Sequence, residues 1–332
     1  MSILMLIITS MIAYGVPLLV VALGGMFSER SGVINISLEG TMIFGALFGA
    51  LYMFLTASSP WVATHPQLSV LIAIAIAAIT GCLFSLILAF AAINLKADQT
   101  IGGTALNIFA PAFAIFLVWA VQGVGLTDIT LPRYVALSSE SFGLDPASIP
   151  LWLDALLSNK LYLTTPIAFI ILIVSYVVLY KTRFGLRLRA CGEHPQAADS
   201  VGINVYKMRY IGVGISGFLA GIGGFAFVMA SSHSIFTADV AGYGFLALGV
   251  MIFGNWKPWR IFGAAFFFSL FKTISALSTD SAFSFLPHFG LTSYNYLYNM
   301  LPYILTMLVL AFTSKKSRAP KAEGIPYDAG KR

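Results

Sequence analysis

Charge is what this sequence has least of. Asp, Glu, Lys and Arg together make up 10% of its 332 residues, against roughly 25% in an average soluble domain. So little charge cannot cover the surface of a soluble domain of this length, which excludes a water-soluble enzyme or binding module. Cysteine is almost missing as well. Cys82 stands in an apolar run and Cys191 in a basic segment, which excludes a disulfide framework and a cysteine-based metal site. The four histidines, His65, His194, His233 and His288, are scattered, and no two share the helix-face spacing of a metal pair. There is no G-x-S-x-G elbow and no H-E-x-x-H pair. The nearest approach to a phosphate loop, GIPYDAGKR at 324–332, has five residues between its glycines and no Ser or Thr after Lys331. The chain is therefore expected to hydrolyse no ATP by itself and to carry no cofactor of its own.

What the sequence has in abundance is apolar length. Hydrophobic residues make up 58% of it, in repeated runs of the about 20 residues that cross about 30 Å of hydrocarbon. Reading these runs between loop signals gives nine candidate spans, at 2–27, 33–56, 68–93, 102–121, 161–180, 210–230, 241–254, 261–277 and 296–313. The fold class is all-α, a polytopic transmembrane helical bundle. The first run lacks the basic start of a signal peptide and is longer than a typical signal core, so it reads as a retained span.

Basic residues set the orientation, because Lys and Arg resist translocation. With the N-terminus outside, the inner loops hold Arg30, Lys96, six residues between Lys181 and Arg209, Lys257 with Arg260, and six in the tail. Only Arg133 and Lys160 fall outside, and Lys272 lies within a span. An odd number of spans with an inner C-terminus fits, as in a bacterial cytoplasmic membrane. The net charge of +6 is spread over short loops, which suits anionic lipid rather than nucleic acid. Residues 1–313 read as one transmembrane domain, and 314–332 as a flexible basic tail. The outer loop 122–160 is broken by Pro132, Pro146 and Pro150. It reads either as a small cap or as a solvated connector with a short surface helix near Trp152.

Two segments depart from plain hydrophobic helices. GVINISLEGTMIFG, at 32–45, sets Asn35, Ser37 and Glu39 between glycines at the start of span two. AGYGFLALGVMIFGN, at 241–255, is apolar over only about 14 residues, a rise of about 21 Å as a helix. Both contain MIFG, and each follows a span with a glycine pair, Gly24 with Gly25 and Gly223 with Gly224. The segments sit five spans apart and run in opposite directions. That is the pattern of an inverted repeat with discontinuous helices at spans two and seven, the arrangement that exposes backbone dipoles to a transported substrate. The alternative is that these glycines only permit close helix packing. Glu39 and Lys272 are the notable charges within spans, where a charge must pair, snorkel or face water. Glu39 reads either as lining a pathway or as a carboxylate bonded to amides at a helix start. A direct Glu39–Lys272 pair is a further reading.

The most informative polar segment is the inner loop 181–209. Its core, GEHPQAADSVGI at 192–203, has a proline at a helix start, then small residues, then a glycine to stop it. A short helix of small residues flanked by cations suits insertion into another protein's groove. A lipid-surface helix would instead carry large apolar residues on one face.

At this loop the sequence resembles the permease family of ABC importers that serves ribose, other simple sugars, nucleosides and branched-chain amino acids. QAADSVG, from Gln196 to Gly202, is similar to that family's coupling motif of Glu-Ala-Ala, three residues and Gly. Gln196 stands where the family has an acidic residue, so the resemblance implies a docking helix without a salt bridge at that position. SERSGVINISLEG, at 28–40, and GYGFLALGVMIFGNWKPWRIFGAAFF, at 242–267, extend the likeness over about 22–277. They are most similar to the nucleoside branch.

The resemblance implies two different permease chains paired with ABC ATPase subunits that bind the ATP and with a lipid-anchored external binding protein. It implies that Gly192, Glu193, Pro195, Gln196, Ala197, Ala198 and Gly202 couple to the ATPase. The pathway residues expected with it are Asn35, Ser37, Glu39, Asn107 and Gln122, with Tyr243 or Phe245 to stack on a base. A ribose or simple-sugar permease is the nearest alternative. An ion-coupled secondary transporter using Glu39 is another, and a membrane enzyme would need a catalytic cluster that the sequence lacks.

Overall fold

The computed structural model describes residues 3–132, 136, 162–232, 234–278, 300, 304, 307 and 319–328. Its elements in chain order are α1 (Ile3–Arg30), α2 (Leu38–Thr56), α3 (Pro60–Thr64), α4 (Pro66–Ile93), α5 (Gln99–Gln122) and β1 (Ile129–Thr130). They continue with α6 (Thr164–Lys181), α7 (Arg183–Glu193), α8 (Pro195–Ser200), α9 (Val205–Ala230), β2 (Ile235–Phe236), α10 (Tyr243–Phe253) and α11 (Pro258–Ser278). Among the described residues six helices, α1, α2, α4, α5, α6 and α9, are long and apolar enough to cross a membrane. The chain is a polytopic helical membrane bundle. The ninth expected span and the expected helix near Trp152 lie outside the described residues, apart from helical positions at Met300, Ile304 and Met307.

Helix starts follow local chemistry. Asp98 caps α5 by accepting from the Thr100 and Ile101 amides at 2.7 and 3.0 Å. These bonds, that of Ile101 first, hold its carboxyl below the usual range. Asn204 accepts from the Lys207 amide at the start of α9, and Thr182 caps α7. The expected loop 181–209 is therefore mostly helix, with one residue, Thr182, separating α6 from α7.

α1 and α9 form the centre. Leu18, Leu19, Leu23 and Met26 of α1 and Phe225 of α9 are fully buried. α1 packs against α10 and α11, while α9 packs against α2 and α4. The glycine pairs and the MIFG segments meet across this exchange. A Cβ at Gly224 would run into the Met42 carbonyl, and one at Gly25 would sit 3.2 Å from the Met251 sulfur. Each half thus lays its MIFG methionine on the other half's glycine pair. That is the inverted repeat expected from sequence, and it uses the glycines for close packing as well.

Ile101, Ile108, Phe109 and Phe116 of α5 are exposed, as are Ile79, Leu83 and Ile87 of α4. Lipid tails are as apolar as these side chains, so nothing drives them inward. Beyond the C-terminal end of α5, β1 pairs antiparallel with β2 through Ile129 and Phe236, and through Thr130 and Ile235. This ties the beginning of the 122–160 loop to the chain after α9.

Candidate functional site

Span two differs from its expected outline. α1 runs three residues past position 27, to Arg30, and α2 starts only at Leu38, so 31–37 is non-helical. Asn35 and Ser37 therefore precede the helix. Non-helical backbone within a bundle must find other partners for its polar groups, and here they come from distant elements. Gln99 accepts from the Ile34 amide at 2.7 Å. Asn107 donates to the Ile36 carbonyl at 2.9 Å and accepts from the Gly40 amide at 2.8 Å, spanning the break with one side chain. Asn35 donates to the Ser216 hydroxyl on α9 at 2.9 Å, and Ser37 donates to Asn35 at 2.7 Å. Asn35 and Ser37 are fully buried, whereas Asn107 is half-buried.

The second break is held by one carboxylate. α10 has 11 residues and starts after Gly242, whose φ of +74° is a left-handed geometry suited to glycine. Glu39 accepts from the Gly242 amide at 2.8 Å and from the Gly244 amide at 2.6 Å. A negative charge there complements the helix dipole and makes charge-assisted bonds. Glu39 thus binds a helix start, but that of α10 rather than of its own helix.

Lys272 does not meet the carboxylate. Its ammonium lies 5.8 Å from the centre of the Tyr243 ring, and Tyr243 is itself buried against Phe227 at 4.6 Å. Phe245, one turn into α10, is 52% exposed and faces out of the bundle. Gln122 is not brought to this cluster, because it ends α5 about 22 Å of helical rise beyond Asn107.

The far end of α10 leads to the segment expected to couple. Asn255 and Trp256 both have left-handed backbones, φ +53° and +51°. The Trp256 indole donates to the Glu29 carboxylate. Its carbonyl accepts from Arg30 at 3.3 Å and from the Tyr180 hydroxyl at 3.5 Å. Arg30 in turn pairs with Glu193, the last residue of α7, at 3.6 Å. α10, a helix about 16 Å long, therefore has Glu39 at one end, and beyond its other end Trp256 is linked through Arg30 to Glu193 in the segment expected to couple.

Within that segment Gly192, Pro195 and Ala198 are buried, while Gln196, Ala197 and Gly202 are exposed. Gly202, with φ +81°, ends α8 in open space. Of the two alanines, Ala197 rather than Ala198 is presented outward. The Cys191 thiol is pushed up to about 11 by burial, offset only partly by the Arg209 charge, so it stays protonated and unreactive. Residues 319–328, expected within a free tail, lie against this same face: the Ala322 amide donates to the Gly192 carbonyl at 2.9 Å.

Glu29, Arg209, Trp256 and Glu323 were missed as site residues. Glu29 and Arg209 sit at span ends, where sequence alone counts a charge as solvated; their burial comes from α10's exit loop and the tail folding over them.

The branched-chain amino acid transport system / permease component family matches residues 7–310. The chain belongs to that family. This permease is 41% identical to the guanosine ABC transporter permease protein NupQ of Bacillus subtilis, covering 100% of the chain and 99% of the relative. It is 37% identical to the nucleoside ABC transporter permease protein NupC of Lactococcus lactis, covering 98% and 97%. With the nucleoside ABC transporter permease protein NupB of the same organism it shares 26% identity over 77% and 69% of the two chains. No solved structure matches it significantly.

Proposed function

We propose that this permease forms half of the translocation pathway of a bacterial ABC importer for nucleosides, driven by ATP bound on a separate ATPase. The observation that carries the reading is α8. It is a six-residue helix at the edge of the bundle, with Pro195 and Ala198 buried, Gln196 and Ala197 exposed, and its base tied through Glu193 to Arg30. Small exposed residues on the outer face of a short helix fit a groove in a partner protein. The full-length likeness to NupQ and NupC supports nucleosides as the substrate. That one organism has both NupB and NupC supports a second, different permease chain as partner.

In this reading α7 and α8 face the cytoplasm with the C-terminus, the N-terminus is outside, and a lipid-anchored protein delivers substrate from that side. Asn35, Ser37 and Glu39 hold the two broken helices in register. Phe245, together with the half-buried Asn107, borders the pathway, where the exposed ring stacks on a nucleobase. Gln122 lies nearer the outer mouth. ATPase closure pushes on α8, the Arg30 and Trp256 contacts pass the movement to α10, and the Glu39 end of α10 moves against α2.

The test is to purify the complex from its native membrane through a tag on this chain, reconstitute it, and measure ATP hydrolysis with uptake of labelled guanosine. Hydrolysis should accompany the chain, and unlabelled nucleosides should displace guanosine while free ribose does not. Active uptake by the chain purified without an ATPase subunit would sink the ABC reading. Equal competition by ribose would move the substrate to simple sugars.

A further inference from the structure

We infer that the C-terminal segment 319–328 is a brace that joins the coupling helix to the break before α2, and that transport depends on it. The inference rests on the reading of α8 as the ATPase contact and goes beyond it by adding a second mechanical link.

The segment touches four separate parts of the chain. The Ala322 amide donates to Gly192 at the end of α7 at 2.9 Å, and the Gly324 amide donates to Gly32 at the entrance of the break at 3.3 Å. Arg209 of α9 donates to the Ile325 carbonyl at 2.9 Å. Tyr327 packs edge-on against Tyr206 with ring centres 5.3 Å apart. Asp328 pairs with Lys96, between α4 and α5, at 3.0 Å.

Two backbone hydrogen bonds made within three residues of the segment thus connect Gly192 to Gly32. The first residue precedes α8 and the second precedes Asn35. Backbone bonds of this kind fix a separation more stiffly than a surface ion pair, which contributes little.

The anchor at Arg209 sets this segment apart from a loosely laid tail. Arg209 is 1% exposed, and its Nε and second terminal nitrogen have no hydrogen-bond partner among the described residues. Burying a guanidinium is costly unless its bonds are made, and its one bond among the described residues goes to the segment. A Cβ on Gly32 would lie 2.9 Å from that second nitrogen and 3.4 Å from the Ala322 carbonyl, so the break, the arginine and the segment form one packed unit. Between the start of α8 and the segment remains a cavity of about 250 Å³, bordered by Pro195 and Gln196 on one side and by Lys321, Ile325 and Tyr327 on the other. The helix has room to rock while its base stays tethered.

The experiment compares the whole importer carrying the wild-type chain with a chain ending at residue 318 and with two full-length variants. Ala322→Pro removes the amide that meets Gly192. Gly324→Val forces a side chain into a left-handed position, φ +74°, 2.9 Å from Ile34. Each is purified through this chain and checked by gel filtration, and ATP hydrolysis and nucleoside uptake are measured per complex. Where the truncated chain does not fold, the point variants decide.

The expected result is an assembled complex whose hydrolysis stays within about twofold of wild type while uptake falls at least tenfold, an uncoupled importer. Unchanged uptake per complex would overturn the brace. So would loss of the ATPase subunit along with the segment, because that makes it a docking contact. Absence of ATP hydrolysis from the wild-type complex would instead remove the reading on which the brace rests.

Discussion

The two broken segments, related by the inverted repeat, solve one problem with different chemistry. Before α2 the free peptide groups are met by neutral side chains of α5, Gln99 and Asn107, while the Asn35 side chain of the break bonds to Ser216 of α9. Before α10 the amides of Gly242 and Gly244 are met by a single carboxylate, Glu39. Neutral bonds shared over several helices make a joint that tolerates the loss of one member. A lone buried charge makes a joint that holds strongly and fails as a unit. The stiff joint belongs to the helix whose other end meets Arg30 and the coupling segment through Trp256. In the proposed mechanism this difference suits α10 to move as a unit.

The comparison breaks most severely at Glu39. Glu39→Leu should cost about 3–6 kcal/mol, two charge-assisted bonds at about 1.5–3 each, whereas Asn107→Ala should cost about 2 kcal/mol for two neutral ones. Thermal unfolding in detergent gives the stabilities, and uptake per folded molecule should fall further for the first. Equal costs would mean that the two joints are not different in kind. Smaller is the contrast between the glycine pairs. Gly224→Ala drives a Cβ into the Met42 backbone and should cost about 3 kcal/mol, the upper part of the range for overpacking. Gly25→Ala meets flexible side-chain atoms of Leu38, Met251 and Leu248 rather than backbone and should cost about 1 kcal/mol, the lower end of that range. Folded yield and melting temperature of the two variants check this.

The smallest effect concerns pH. Burial pushes the Glu323 carboxyl upward, against the counter-effects of a bond from Glu29 and the charge of Arg30. A raised folded value means that the segment is seated most firmly below the free glutamate value of about 4.3 and loosens as pH rises through the folded value. Hydrogen exchange of the 319–328 amides should therefore speed up over that window beyond the intrinsic rate. Glu323→Gln should weaken the extra pH dependence, because the carboxyl pair it forms with Glu29 titrates jointly, and an unchanged profile in that variant would assign it elsewhere.

Much of this was legible in the sequence, because the bilayer imposes length and composition on anything that crosses it. The apolar spans, the short helix α10, the paired MIFG segments and a short helix from Pro195 all follow from residue type and spacing. Glu39 was found as a charge within a span, yet its partner was not, since Gly242 and Gly244 lie some 200 positions away and offer only backbone. Asn107 was singled out for polarity. Its task of spanning the break depends on α5 passing beside residues 36 and 40, which periodicity does not encode.

The sequence by itself determined that this is a polytopic helical membrane protein with two interrupted helices and a short helix from Pro195 in the segment expected to couple. Hydrophobic length, helix-breaking residues and charge at loops act locally and can be read one stretch at a time. Only the tertiary structure decided which amides Glu39 holds, that Ala198 turns inward while Ala197 turns outward, and that 319–328 lies on the coupling face. Those outcomes depend on hydrogen-bonding groups satisfied by distant parts of the chain, and only packing in three dimensions brings them together.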